Sequence, residues 1–118
     1  MAQFVYLFRS DEQQHRQAMG SPQLMQQTMQ KWMAWMQGLS EEGHIKDRGQ
    51  PLERAGRLVK GKAKAVTDGP YAETKDIVGG YLLLEAKDLD QAEQLSKGCP
   101  IFESGGIVEI RPIMKTTP

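Results

Sequence analysis

Residues 3–9, Gln-Phe-Val-Tyr-Leu-Phe-Arg, place aromatic and β-branched side chains on both faces of any strand they form. Side chains alternate along a strand, so Phe4, Tyr6 and Phe8 share one face while Val5 and Leu7 share the other. A strand that is apolar on both sides has to be covered on both sides. The rest of the chain must supply one covering layer, and a second source must supply the other.

The first layer is legible downstream. Ser21-Pro22 is a helix start, with Ser as the N-cap and Pro at the first helical position. Met25, Met29, Trp32, Met36 and Leu39 then recur at spacings of four and three, one face of a helix from about 22 to 42 that Gly43 stops. Residues 10–20 are polar and end in Gly20, which predicts a loop or a short irregular helix. His44 to Leu52 reads as extended, ending at Gln50-Pro51. Residues 56–67 read as strand with a bend or hairpin at Gly61, and Asp68-Gly69-Pro70 as a turn. Ile77 to Ala86 is a second apolar strand, in which Gly79-Gly80 permits a bulge or a close backbone approach. Asp88 caps a second helix with Gln91 at the capping-box position; Leu89, Ala92 and Leu95 form its buried face, and Gly98 ends it. A loop through Cys99-Pro100 and Gly105-Gly106 leads to a last strand, Ile107 to Ile113. The order β-α-β(β)-β-α-β predicts an α+β, ferredoxin-like sandwich in one domain, 1–118, with two helices on one face of an antiparallel sheet. The simplest cover for the other face is a second copy of the chain, closing a dimeric α+β barrel with a natural pocket between the sheets. The alternative is a monomer with a loop or the chain end over the sheet.

Fifteen Lys and Arg balance fifteen Asp and Glu, which excludes a generally basic nucleic-acid binder and an acidic disordered tail. Cys99 is the single cysteine, so no intramolecular disulfide forms, which suits a reducing cytoplasm. The apolar start is too short for a signal peptide and lacks a basic leader, and no stretch approaches the roughly 18 apolar residues of a membrane span. The expectation is a full-length cytoplasmic protein with neither a nucleic-acid nor a membrane partner.

The residues themselves leave the chemistry open between two readings. Asp68 before Gly-Pro either caps its own turn through backbone amides or stands in an intersubunit pocket as a general base or a cation-binding carboxylate. Glu73 and Lys75 face the same way in an extended loop, pairing across a pocket mouth or with Arg111, or forming a solvated ion pair; Tyr71 is a pocket wall or an ordinary packed aromatic. Trp32 and Trp35, with Met25, Met29, Met33 and Met36, either line an adaptable apolar pocket or are simply core. His44 is an acid/base group or a partner of the helix C-terminus, and His15 lies in the polar segment. The basic run Arg54, Arg57, Lys60, Lys62 and Lys64 lacks interleaved aromatics and reads as a solvated hairpin. Cys99 reads as a buried small apolar residue. Two scattered histidines and one cysteine show no metal-ligand spacing, and Gly79-Gly80 precedes a strand rather than a helix, so neither a metal nor a phosphate-binding loop is expected.

The stretch Asp68-Gly69-Pro70-Tyr71-Ala72-Glu73-Thr74-Lys75-Asp76 is the most distinctive of the chain. It is followed in order by Val78-Gly79-Gly80-Tyr81, Asp88-Leu89-Asp90-Gln91-Ala92, Gly98-Cys99-Pro100 and Val108-Glu109-Ile110-Arg111-Pro112-Ile113. Together these blocks resemble the YCII-related family in its DGPF-domain branch, with Tyr71 in place of the Phe, over nearly the whole chain. The resemblance implies a dimeric α+β barrel and no particular activity. Some relatives in the wider family resemble small enzymes with a His/Asp pair, the His on the first helix and the Asp at the start of the DGP-type turn. Asp68 matches that Asp, but residues 22–42 hold no His, and Trp32 lies near where it would stand. The expected function is that of a homodimeric small-molecule-binding protein with a site near Asp68, Tyr71, Glu73, Lys75 and the first helix. As an enzyme it would do cofactor-free acid/base chemistry, isomerisation or elimination on a small cyclic compound, with Asp68 as base. The alternative is a non-catalytic regulatory or interaction protein whose DGP loop is purely structural.

Overall fold

In a computed structural model that describes residues 1–69 and 76–116, the chain runs β1 (Ala2–Ser10), α1 (Glu12–Met19), α2 (Pro22–Glu41), β2 (Ile45–Asp47), β3 (Gly56–Lys60) and β4 (Ala65–Gly69). It continues through β5 (Ile77–Ala86), α3 (Leu89–Ser96), a 3-10 turn (Pro100–Ser104) and β6 (Ile107–Pro112). The main sheet has the order β2-β5-β1-β6, with every pairing antiparallel. β1 and β2 are therefore parallel with β5 between them, and β5 and β6 are parallel with β1 between them. These two split β-α-β units are the ferredoxin-like arrangement expected from the element order. β3 and β4 form a separate two-stranded ribbon inserted between β2 and β5.

The doubly apolar β1 is the centre of the sheet. Phe4, Tyr6 and Phe8 stand opposite Leu84, Leu82 and Gly80 of β5, and Tyr6 and Phe8 opposite Ile110 and Val108 of β6. These side chains meet Ala92 of α3, Ile101 of the 3-10 turn and the α2 residues Trp32, Trp35 and Met36 in one core. Fully burying a Leu or Phe side chain is worth about 1.5–3 kcal/mol, so this face supplies much of the driving force for folding. The Tyr6 hydroxyl donates to the Ala92 carbonyl and so ties β1 to α3. On the opposite face Val5, Leu7, Tyr81 and Leu83 are only half-buried.

The structure departs from the sequence reading in three places. Residues 12–19 form a regular two-turn helix where a loop or a short irregular helix was expected. The cause is a full capping box: Gln14 N–H donates to Asp11 Oδ1 at 2.8 Å, and Asp11 N–H donates to Gln14 Oε1 at 3.0 Å. Asp68 and Gly69 are strand rather than turn, paired with Arg57 and Gly56, because the hairpin reverses at 61–64 and its second strand runs on through Gly69. The segment 44–52 is not one extended strand; β2 ends at Asp47 and the chain returns to the sheet only at Pro51, bridged to Gly80.

Candidate functional site

After β2 the chain turns on Asp47, whose carboxylate accepts from the Gly49 N–H at 2.8 Å. Gly49 has φ +67° and lies directly against the Tyr81 carbonyl, a position that a Cβ would close. The chain then runs beside β5: Leu52 N–H donates to the Gly79 carbonyl at 2.8 Å, and Gly80, lacking a Cβ, admits Gln50 and Pro51 against its backbone. The β1–β5 register shifts between Phe8 and Arg9, where Gly79 is left over as a bulge. On the other side α1 is held over the site by Thr28 Oγ1–H donating to the Ala18 carbonyl at 2.7 Å and Gln14 Nε2–H donating to the Gly105 carbonyl at 2.8 Å.

Between α1, α2 and residues 48–54 lies a cavity of about 310 Å³. Its walls are chiefly Phe8, Trp32 and the methionines 19, 29, 33 and 36; Ser10, Thr28, His15, Arg48 and Arg54 supply polar groups. That size and lining fit a small organic ligand. A wider hollow of about 540 Å³ adjoins it beside Arg9, Arg57, Gly69 and Asp76, but stands more open to solvent, so a ligand there would keep most of its hydration.

The two tryptophans part company. Trp32 lines the cavity and meets Phe8 edge to face at 4.8 Å. Trp35 belongs to the core, where it stacks on Tyr6 at 6.0 Å and its indole N–H donates to the Leu95 carbonyl at 3.1 Å. Met29, Met33 and Met36 reach the cavity, whereas Met25 is exposed and is not part of its wall. Asp68 sits on the exposed face of the ribbon and does not line the cavity. Tyr71, Glu73 and Lys75 lie outside the described residues.

His44 is 6% exposed. Its Nδ1–H donates to the Glu85 carbonyl at 2.8 Å, and Nε2 lies 3.7 Å from the Glu42 carboxylate, away from the cavity. Cys99 is buried, and burial pushes its thiol up to about 12, so little thiolate exists at neutral pH. Among the described residues no group of three or more His, Cys, Asp or Glu is placed to hold a metal ion.

Three cavity residues carry little signal in the sequence. Arg54 reads as part of a solvated basic run, yet its side chain is only 16% exposed. Its Nε–H donates to Glu12 Oε2 at 3.1 Å and its Nη2–H to the Ser10 carbonyl at 3.0 Å. Arg48 and His15 stand in unremarkable polar stretches. What brings them together is the Pro51–Gly80 bridge and the packing of α1 on α2, neither of which is a local property of the chain.

The family model of the YCII-related domain matches residues 3–117. Among solved structures, the chain is similar to 5-chloro-2-hydroxyhydroquinone dehydrochlorinase (TftG) from Burkholderia phenoliruptrix AC1100 in complex with 2,5-dihydroxybenzoquinone. The two are 20% identical over 91% of this chain and 90% of that chain, with a TM-score of 0.41. No curated protein matches this chain.

Proposed function

The chain belongs to the YCII-related family, and on that premise we propose that it is a small-molecule-binding protein whose site is the cavity between α1, α2 and residues 48–54. The observation that carries this reading is the thioether- and indole-walled cavity of about 310 Å³ with a few convergent polar groups. Binding is favoured over acid/base catalysis by Asp68, because that carboxylate is exposed on the ribbon and stands apart from the cavity. Were a cofactor-free isomerisation or elimination to run in this cavity, the titratable side chain best placed to move a proton is His15.

The test is a panel of small cyclic compounds screened by ligand-observed NMR against the full chain and a Met33→Trp variant. Met33 is 64% exposed at the cavity rim, so the larger side chain blocks entry without disturbing the core. Compounds that bind the parent protein should lose at least about tenfold in affinity, or about 1.4 kcal/mol, in the variant. Unchanged affinities, or no binder in the panel, would count against the cavity as the site.

The reading includes a homodimer that covers Val5, Leu7, Tyr81 and Leu83 face to face, in the cytoplasm, with the chain as a single domain of the DGPF branch. Support comes from the half-buried apolar centre of that sheet face. Light scattering should give twice 13.3 kDa for the parent chain and the monomer mass for Leu83→Arg, with far-UV circular dichroism unchanged. A monomeric parent would remove the dimer from the proposal and leave the cavity in place.

A further inference from the structure

Among the described residues, the polar groups that line the cavity are positive or neutral. The charged side chains among them are Arg48 and Arg54, the other ionisable residues are His15 and Tyr81, and no carboxylate of the described residues contributes to the wall. The chain as a whole is neutral, so this excess is local rather than a reflection of composition.

The two guanidinium groups are differently prepared. Arg54 is pinned by Glu12 and the Ser10 carbonyl through Nε and Nη2, which fixes its plane while its Nη1 hydrogens go to no acceptor among the described residues. Glu12 lies on the solvent side, with its own side chain 58% exposed, and does not line the cavity. Arg48 makes no ion pair or hydrogen bond with any described residue and stands at the rim. Guanidinium donors beside an apolar wall lose hydration when the cavity fills, and a neutral ligand returns at most a hydrogen bond to an uncharged acceptor. An anion does, through charge-assisted and potentially bidentate hydrogen bonds. A cation would be repelled. The rest of the wall suits a ring: Trp32 and Phe8 offer aromatic surfaces, and the methionine thioethers pack adaptably around one.

From this arrangement we infer that the cavity takes a small, apolar, ring-containing organic anion, with the ring among Trp32, Phe8 and the methionines and a carboxylate-like group on Arg48 and Arg54. The inference rests on the cavity being a binding site and adds the charge of what it binds.

The probes are naphthoate and its neutral counterpart naphthalenemethanol, titrated separately into the full chain at neutral pH and physiological salt. Binding is followed by calorimetry and located by the indole N–H signal of Trp32, distinguished from that of Trp35 by a Trp35→Phe variant. Naphthoate should perturb Trp32 and bind at least about tenfold more tightly than the alcohol. In Arg48→Gln, an exposed position whose replacement leaves the fold alone, that preference should fall to within about twofold while the alcohol is unaffected. Arg54→Gln should do the same, but it also removes the tie to Glu12, so Arg48→Gln is the primary variant.

Equal binding of acid and alcohol at Trp32, or a preference that survives both Arg variants, would overturn the inference and leave the cavity as a binding site. Failure of both probes to perturb Trp32 would also overturn it. The panel and Met33→Trp experiment would then decide separately whether the cavity binds any ligand.

Discussion

Replacing Leu84 with alanine is expected to destabilise the protein by about 3 kcal/mol and to lower the melting temperature by roughly 10 °C. Leu84 has no exposed surface, stands opposite Phe4 of β1 and opposite Ile45 of β2, and so joins three strands of the sheet at the core face. Its truncation removes apolar contacts and leaves a void between strands that cannot close together, because their spacing is set by backbone hydrogen bonds. Val59→Ala is the control: Val59 is 64% exposed on the ribbon, and its loss should stay within about 0.5 kcal/mol. Urea unfolding of both variants checks this, with the midpoint moving and the slope unchanged for Leu84→Ala. A Leu84→Ala midpoint indistinguishable from that of Val59→Ala would mean that the sheet–helix core described here is not what holds the fold together.

The second large effect is expected at Gly49. A Cβ built there lies 1.7 Å from the Tyr81 carbonyl oxygen, and the backbone has φ +67°. The positive φ alone costs a non-glycine residue about 1–2 kcal/mol. The clash is with backbone of the central sheet, so the segment 48–51 has to move rather than a side chain. Gly49→Ala should therefore cost about 2 kcal/mol or more in stability. It should also displace Arg48, Gln50 and Pro51 from the cavity wall and weaken naphthoate binding by more than about tenfold. Gly38→Ala, in the exposed interior of α2 with nothing near the added methyl, should have the opposite sign and gain up to about 1 kcal/mol. Comparing the two variants by thermal unfolding and calorimetric titration separates a general intolerance of substitution from the specific close approach at Tyr81. Normal binding in Gly49→Ala would show that residues 48–51 are not needed to shape the site.

Helix starts were the most legible part of the fold. Ser21-Pro22 begins α2 and Asp88 begins α3, as their side chains predict, since a cap is made by residues within one turn. The same logic was available for α1, where Asp11 and Gln14 have capping-box spacing, but the polarity of residues 10–20 hid it. That helix buries none of its own residues and earns its place by roofing a cavity, which no apolar stripe announces. Trp32 and Trp35 show the limit from the other side. Both lie on the stripe that faces the sheet, but three residues on a helix leave them about 60° apart. Both pack on the core, but only the tertiary structure brings Trp32 to the cavity wall as well, while Trp35 stacks on Tyr6.

By itself the sequence determined that β1 must be central, that helices would cover one of its faces, and that the order of elements is ferredoxin-like. Each of these follows from side-chain alternation, helical spacing and capping over a few neighbouring residues. The tertiary structure alone decided where the cavity lies and what charge lines it. Ser10 to Met19, Thr28 to Met36, Arg48 to Arg54 and Gly79 to Tyr81 are far apart along the chain. They meet because β5 lies between β1 and β2, and because Gly49 and Gly80 let backbone approach backbone. A run of basic residues cannot show which of its members turns inward; that depends on an acceptor such as Glu12 or the Ser10 carbonyl arriving from another element.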